Sequence, residues 1–211
     1  MTPLAAVAGA AGLLVSTTLL FVVVVFLWWL DRYDREPLLM VASAFIWGAL
    51  AAGVLSVSSL GAAAAALDRP LGTLAGAALE ELLKAVAVIL IARYSAEFDS
   101  PTDGLVYGTA AGLGFASVEN LLLVAAAPAV LQSQMAPLVL QRTVFSAGVH
   151  GLASGVVGGF VGLAHLSRGT LARVAWTAGG LAIATGLHGG WNAGLSFLGA
   201  SRERWVALAA M

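Results

Sequence analysis

The chain has 211 residues, of which 60% are hydrophobic and 10% charged, and its mean hydropathy is +0.96. A soluble domain would be about a quarter charged, ten basic against eleven acidic side chains leave no basic excess for a nucleic acid, and the absence of cysteine removes disulfides, a thiolate nucleophile and Cys-ligated metals. Chemistry is left to Glu, Asp, His, Ser, Asn and Lys. The 25 glycines exceed the usual share of about 7% and suit helices packed closely through small residues.

A helix needs roughly 20 apolar residues to cross the hydrocarbon, and six such runs follow one another. The first, at about 4–30, is too long for a signal peptide, has no basic residue ahead of it and reads as a retained span. It ends at Asp31, Arg32, Tyr33, Asp34, Arg35, Glu36 and Pro37. The second, about 38–67, ends at Asp68, Arg69 and Pro70, and the third, about 71–92, leads into the longest polar loop, 93–103. The fourth covers about 104–127 and stops at Pro128; the fifth covers about 137–166; the sixth covers about 171–199 and precedes Arg202, Glu203 and Arg204. Trp28, Trp29, Tyr33, Tyr94 and Trp205 fall near the ends, as an aromatic belt does. The runs do not alternate, so strands are not expected. The expectation is one all-α domain over 1–211, a six-helix transmembrane bundle. Arg32, Arg35, Arg93, Arg168 and Arg173 share one face, which the positive-inside rule makes cytoplasmic; both termini are then extracytoplasmic in a bacterial-type plasma membrane.

Charged side chains in the middle of a bilayer cost about 2.5–3.5 kcal/mol each on insertion scales and are functional candidates by default. Four spans carry them. The third has Glu80, Glu81 and Lys84, the fourth Phe115, Glu119 and Asn120, the fifth His150, and the sixth His188, Trp191 and Asn192. Counted from the face that holds the termini at 1.5 Å per residue, Glu80 lies about 14 Å deep, Glu119 about 12 Å, His150 about 18 Å, His188 about 16 Å and Asn192 about 10 Å. Four helices of alternating direction thus bring their polar residues to one layer. Glu80 and Lys84, Phe115 and Glu119, and His188 and Asn192 are each four apart and share a helix face. Glu81, about 100° round the helix from Glu80, has the option of facing a neighbouring helix, and it stands with Glu80, Glu119, His150, His188 and Asn192 among the catalytic candidates. Gly148, Gly151, Ser154, Gly155, Gly158 and Gly159 leave room around His150.

Such a set suits hydrolysis by an activated water. A glutamate in a low-dielectric cavity serves as general base near neutral pH, His188 and Asn192 can donate to an oxyanion, and Lys84 offsets part of the acidic charge. No Ser-Lys or Gly-x-Ser-x-Gly arrangement supports a serine nucleophile.

The ordered motifs resemble the PrsW family of intramembrane proteases, within the group that includes the CaaX prenyl endopeptidases and bacterial immunity-type membrane proteases. They are Asp31-Arg-Tyr-Asp-Arg-Glu36-Pro37, Glu80-Glu81-x-x-Lys84, Asp103-Gly104-x-x-Tyr107-Gly108, Gly112-x-Gly114-Phe115-x-x-x-Glu119-Asn120, Arg142-x-x-Phe145-Ser146-x-x-x-His150 and His188-x-x-Trp191-Asn192. The resemblance implies a glutamic-type endopeptidase acting on a membrane-anchored, anti-sigma-factor-like protein. It places Glu80 as the water-activating base, Glu119 as its partner, and His188 and Asn192 as oxyanion stabilisers. Lys84 stands where the prenyl endopeptidases have an arginine one residue later, and Glu119 where they have a histidine, which points away from a prenylated substrate. It also implies that the charged loop ending at Glu36 packs against the site.

Other readings stand beside these. Glu80 and Lys84 also make an intrahelical ion pair, Glu119 and Asn120 a helix-joining node, and His150 an interhelical hydrogen-bond partner. Arg142 suits snorkelling or helix pairing, His165 an inert interfacial place, and Asp103 a helix cap. No cofactor is expected; a zinc site from His150, His188 and either Glu119 or Glu80 is the alternative, without the support of a His-Glu-x-x-His helix. A proton- or ion-coupled carrier would use the same polar layer, although no internal repeat is visible. The expected partners are a single-span membrane protein as substrate and the lipid bilayer.

Overall fold

A computed structural model of the chain describes residues 3–30, 35–57, 67–126 and 135–200. Residues 31–34 of the charged loop, the end of the second run at 58–66, Pro128, and Arg202, Glu203, Arg204 and Trp205 lie outside them. The described residues form six α-helices and no strand: α1 (Pro3–Leu30), α2 (Leu38–Val57), α3 (Arg69–Tyr94), α4 (Pro101–Ala126), α5 (Met135–Leu166) and α6 (Thr170–Ala200). The all-α bundle expected from the continuous apolar runs is what forms. Leu38–Leu55 and Pro137–Leu166 are long and apolar enough to cross a membrane.

The solvation pattern is reversed relative to a soluble bundle. Leu14, Leu39 and Leu171 are 71%, 80% and 84% exposed, whereas Glu81 and Lys84 are fully buried and His150 and His188 nearly so. An apolar exterior around a polar interior suits hydrocarbon as solvent.

Close backbone approach holds the middle of the bundle. Gly104, Gly108 and Gly112 recur every fourth residue along one stripe of α4, and a Cβ at any of them would collide with the α5 backbone at Gly158, Ser154 and His150 respectively. On another face, Gly48 of α2 meets the Ala111 carbonyl of α4, and Gly114 of α4 meets the Phe45 carbonyl of α2. Small residues let the helices approach until van der Waals contact replaces the hydrophobic drive that lipid does not supply.

The start of α4 is fixed by a capping box. Ser100 precedes Pro101 at the first helical position; its amide donates to Asp103 Oδ2 (2.7 Å), its hydroxyl bonds Asp103 Oδ1, and the Asp103 amide returns to Ser100 Oγ at 3.2 Å. The Asp99 amide adds a further bond to Asp103 Oδ2 at 2.7 Å. Burial alone would raise the Asp103 carboxyl, but the bonds from Ser100 and Asp99 outweigh it and hold the group below its ordinary value. One turn on, the Tyr107 hydroxyl donates to the buried Glu36 carboxylate, whose backbone carbonyl accepts from Trp28 Nε1. The loop between α1 and α2 is thereby stapled to α4. Glu36 does not reach the polar layer as the motif resemblance implied, because Tyr107 lies twelve residues, about 18 Å, before Glu119 on the same helix.

Candidate active site

Four helices meet at one layer, and their polar side chains form a connected network. On α3, Lys84 Nζ lies 2.7 Å from Glu81 Oε1 and 3.8 Å from Glu80 Oε2. The same ammonium lies 3.0 Å from His150 Nδ1 on α5 and 4.1 Å from the centroid of Phe115 on α4. Glu81 Oε1 also meets His188 Nδ1 of α6 at 2.9 Å, and Glu81 Oε2 accepts from Ser154 Oγ of α5 at 2.8 Å. His150 Nε2 faces Glu119 Oε2 at 3.0 Å, and Arg142 binds that oxygen at 2.7 Å while its Nε donates to Asn120 Oδ1 at 3.0 Å. The two imidazoles touch edge to face, centroids 4.5 Å apart.

The sequence-predicted residues Glu80, Glu81, Lys84, Phe115, Glu119, Asn120, Arg142, His150 and His188 are therefore brought together. Trp191 and Asn192, about one turn beyond His188, are half-buried. Glu81 meets neighbouring helices, His188 of α6 and Ser154 of α5, yet stays within the layer, where it is the most connected carboxylate. The reason is geometric: α5 and α6 pack side by side against α3, so two positions about 100° apart on α3 both face the wedge between them. Lys84 accordingly pairs more tightly with Glu81 than with Glu80.

An ammonium that donates to His150 Nδ1 leaves Nε2 to carry the ring proton toward Glu119. Both His150 nitrogens are thus committed. His188 differs: Nδ1 faces Glu81, while Nε2 lies 3.5 Å from Glu80 Oε2. That oxygen is buried and makes no hydrogen bond among the described residues, and Trp191 Nε1 is in the same condition. Buried polar atoms left without a partner are rare and point to strain or function.

Ser154 and Ser16 went unnoticed in the sequence as polar groups. Ser154 is four residues after His150, so its helix face was available as a signal. Ser16 on α1 accepts from Asn120 Nδ2 (3.1 Å) and Thr143 Oγ1 (2.6 Å), anchoring α1 to α4 and α5. It opens the triplet Ser16-Thr17-Thr18 in the middle of the first span, the one signal in the sequence that could have marked it.

Residues 36–211 match a family described as PrsW family intramembrane metalloprotease. The chain belongs to the PrsW family of intramembrane proteases. Its relatives include Protease PrsW of Bacillus subtilis (strain 168), 28% identical over 183 residues, 83% of this chain and 77% of the relative. Protease PrsW of Geobacillus kaustophilus (strain HTA426) is 28% identical over 178 residues, 83% and 73% of the two chains. No solved structure matches. Family and apolar helices together make this a membrane protein and a protease.

The family description raises the question of a metal. Glu80, His150 and His188 offer ligand atoms that all lie within 4.8 Å of one another, and two imidazoles with one carboxylate are a set that zinc accepts in catalytic sites. Glu80 Oε2 has no competing hydrogen bond, and Glu81 holds the other nitrogen of His188 as an outer carboxylate does around bound metals. The donors fit in type and reach, and a metal would take the place of the Lys84 ammonium at His150 Nδ1. Lys84, 3.0 Å from His150 Nδ1, is the cation already seated among them.

Proposed function

We propose that this PrsW-family protease hydrolyses a peptide bond of a single-span, anti-sigma-factor-like membrane protein with a water activated by Glu80. The observation that carries the reading is the buried, unbonded Glu80 Oε2 beside His188 Nε2, in a layer where the other carboxylates are engaged. Glu80 takes the proton as the water oxygen adds to the scissile carbonyl; the proton then passes to the leaving amine as the C–N bond breaks. In its protonated form His188 donates from Nε2 to the oxyanion, with Glu81 stabilising the imidazolium through Nδ1, and the Asn192 amide supplies a second donor. Glu119, held by Arg142, and His150, held by Lys84, act as positioning residues that keep the cationic and anionic halves of the layer in register. Family resemblance supports the anti-sigma-factor class of substrate. The excess of arginine on the loops after α1, α3 and α5 supports a cytoplasmic place for that face and extracytoplasmic termini.

The reach of Glu80, His150 and His188 toward one point supports a second reading, in which these three hold zinc. When bound, the ion would supply Lewis acidity to the carbonyl and acidify a water.

One experiment separates the two readings. Purified protein in detergent is given a panel of single-span reporters, as wild type and as Glu80→Ala, with and without a chelator. Cleavage that disappears in Glu80→Ala and survives chelation is the expected result. Loss on chelation with recovery on zinc moves the assignment to the metal. Identical fragments from wild type and Glu80→Ala overturn both readings and favour a carrier.

A further inference from the structure

Away from the polar layer, toward the loops after α3 and α5, helices α3, α5 and α6 leave a cavity of about 860 Å³, within the roughly 300–1,000 Å³ typical of ligand sites. Its chemistry is divided. Ile89, Val161, Val174 and Leu181 give it apolar walls, and Arg93, His165 and Arg173 also line it. The three basic side chains come from the last turns of α3 and α5 and the first turn of α6, so they lie level with one another at one membrane face. Arg93 and Arg173 are exposed and form no ion pair with a carboxylate among the described residues. Arg173 Nε holds only the Ser167 carbonyl, at 3.2 Å.

The cavity does not lead to the catalytic layer. Ala85 and Val88 of α3, Val157 of α5 and Ala184 of α6 lie between the two along their helices, all buried in one core cluster. A peptide seated in the cavity would therefore not reach Glu80. An apolar slot with two guanidinium groups at the rim, Arg93 over the Tyr94 ring and Arg173 on the Ser167 carbonyl but neither paired with a carboxylate among the described residues, matches an amphiphile with an anionic head. Basic pockets between spans on the cytoplasmic side bind anionic lipid headgroups, and the arginine count supports that side for this rim.

We propose that this groove binds one anionic phospholipid, its phosphate held between Arg93 and Arg173 and an acyl chain laid along α3, α5 and α6. The site is separate from the hydrolytic one and stands whatever the catalytic reading becomes.

The test is retention of phosphatidylglycerol against phosphatidylcholine of matched chains by the full-length protein in neutral detergent, read by native mass spectrometry. Wild type is expected to keep one phosphatidylglycerol in preference to phosphatidylcholine. Arg93→Gln/Arg173→Gln should hold it roughly 30-fold more weakly, the size expected of two guanidinium–headgroup contacts, with its unfolding temperature in lipid-free detergent unchanged. Ala178→Trp keeps both arginines, fills the slot and should also lose the lipid. Equal retention by wild type and the double variant overturns the proposal, as does equal retention of the two lipids. Full displacement by inorganic phosphate would reduce the groove to a simple anion site. Displacement by an equimolar single-span peptide with acidic flanks would make it a protein-docking surface.

Discussion

The bundle holds two groups of buried polar side chains, and they are built on different rules. The staple near the loop face joins Glu36, Tyr107, Ser100 and Asp103, and the bonds run reciprocally: Tyr107 and Trp28 serve Glu36, while Ser100 and Asp103 serve each other. The layer on α3 to α6 is also densely bonded, yet it leaves Glu80 Oε2 and Trp191 Nε1 unsatisfied. A satisfied network specifies structure; an open atom inside a network costs stability and is kept where something else must bind it.

Five variants would break or sharpen this contrast. The largest effect is expected from Glu80→Gln, which should lower cleavage of a single-span reporter about 10²–10⁴-fold, the worth of a general base, without lowering the unfolding temperature. Removal of a stabilising residue would instead lower both. Lys84→Met leaves Glu81 charged and fully buried, and should destabilise the protein by about 3–5 kcal/mol in thermal unfolding in detergent. Glu81→Gln added to Lys84→Met should recover a large part of that stability without restoring wild-type cleavage, since His188 then lacks its anionic partner. Tyr107→Phe belongs to the staple and should cost about 1–1.5 kcal/mol with reporter cleavage intact; a loss of cleavage matching that of Glu80→Gln would erase the distinction between the two groups.

The smallest effect carries a pH signature. Asp103 is held below its ordinary value of 3.8 in the folded chain, so its contribution is complete above that pH and is lost as pH falls through the lower, folded value. Asp103→Asn should therefore reduce stability by about 0.5–1 kcal/mol at neutral pH. The gap from wild type should close in acid, as read from unfolding temperature against pH.

Much of the architecture is legible because lipid makes the reading simple. Uninterrupted apolar runs can only be helices, and a fixed rise per residue converts sequence position into depth, which is why Glu80, Glu119, His150 and His188 could be set in one layer before any coordinates. Rotation about each helix is a different matter. The partners of Glu81 are not legible, because depth does not say which neighbours stand on either side of α3. The bonding roles of Ser154 and Ser16 are not legible, because a hydroxyl in an apolar run is common and its partner lies on another helix. His165 reads as an inert interfacial residue on its own; beside Arg93 and Arg173 it lines a basic cavity, a juxtaposition that only the packing of α3, α5 and α6 creates.

The glycine stripe on α4 has a mechanical consequence. Where an added Cβ would strike the facing helix, at Gly104, Gly108 and Gly112 toward α5 and at Gly48 and Gly114 between α2 and α4, the neighbour in question is main chain. Around α6 the contacts differ: Gly189 faces the end of the Leu74 side chain, whereas Gly180 faces the Phe160 Cβ, an atom fixed to its main chain. Main chain does not yield, whereas a side chain swings to another rotamer within nanoseconds. Helices α2, α4 and α5 are thus locked together backbone against backbone, while α6, the helix that carries His188, has a yielding contact at Gly189 against α3.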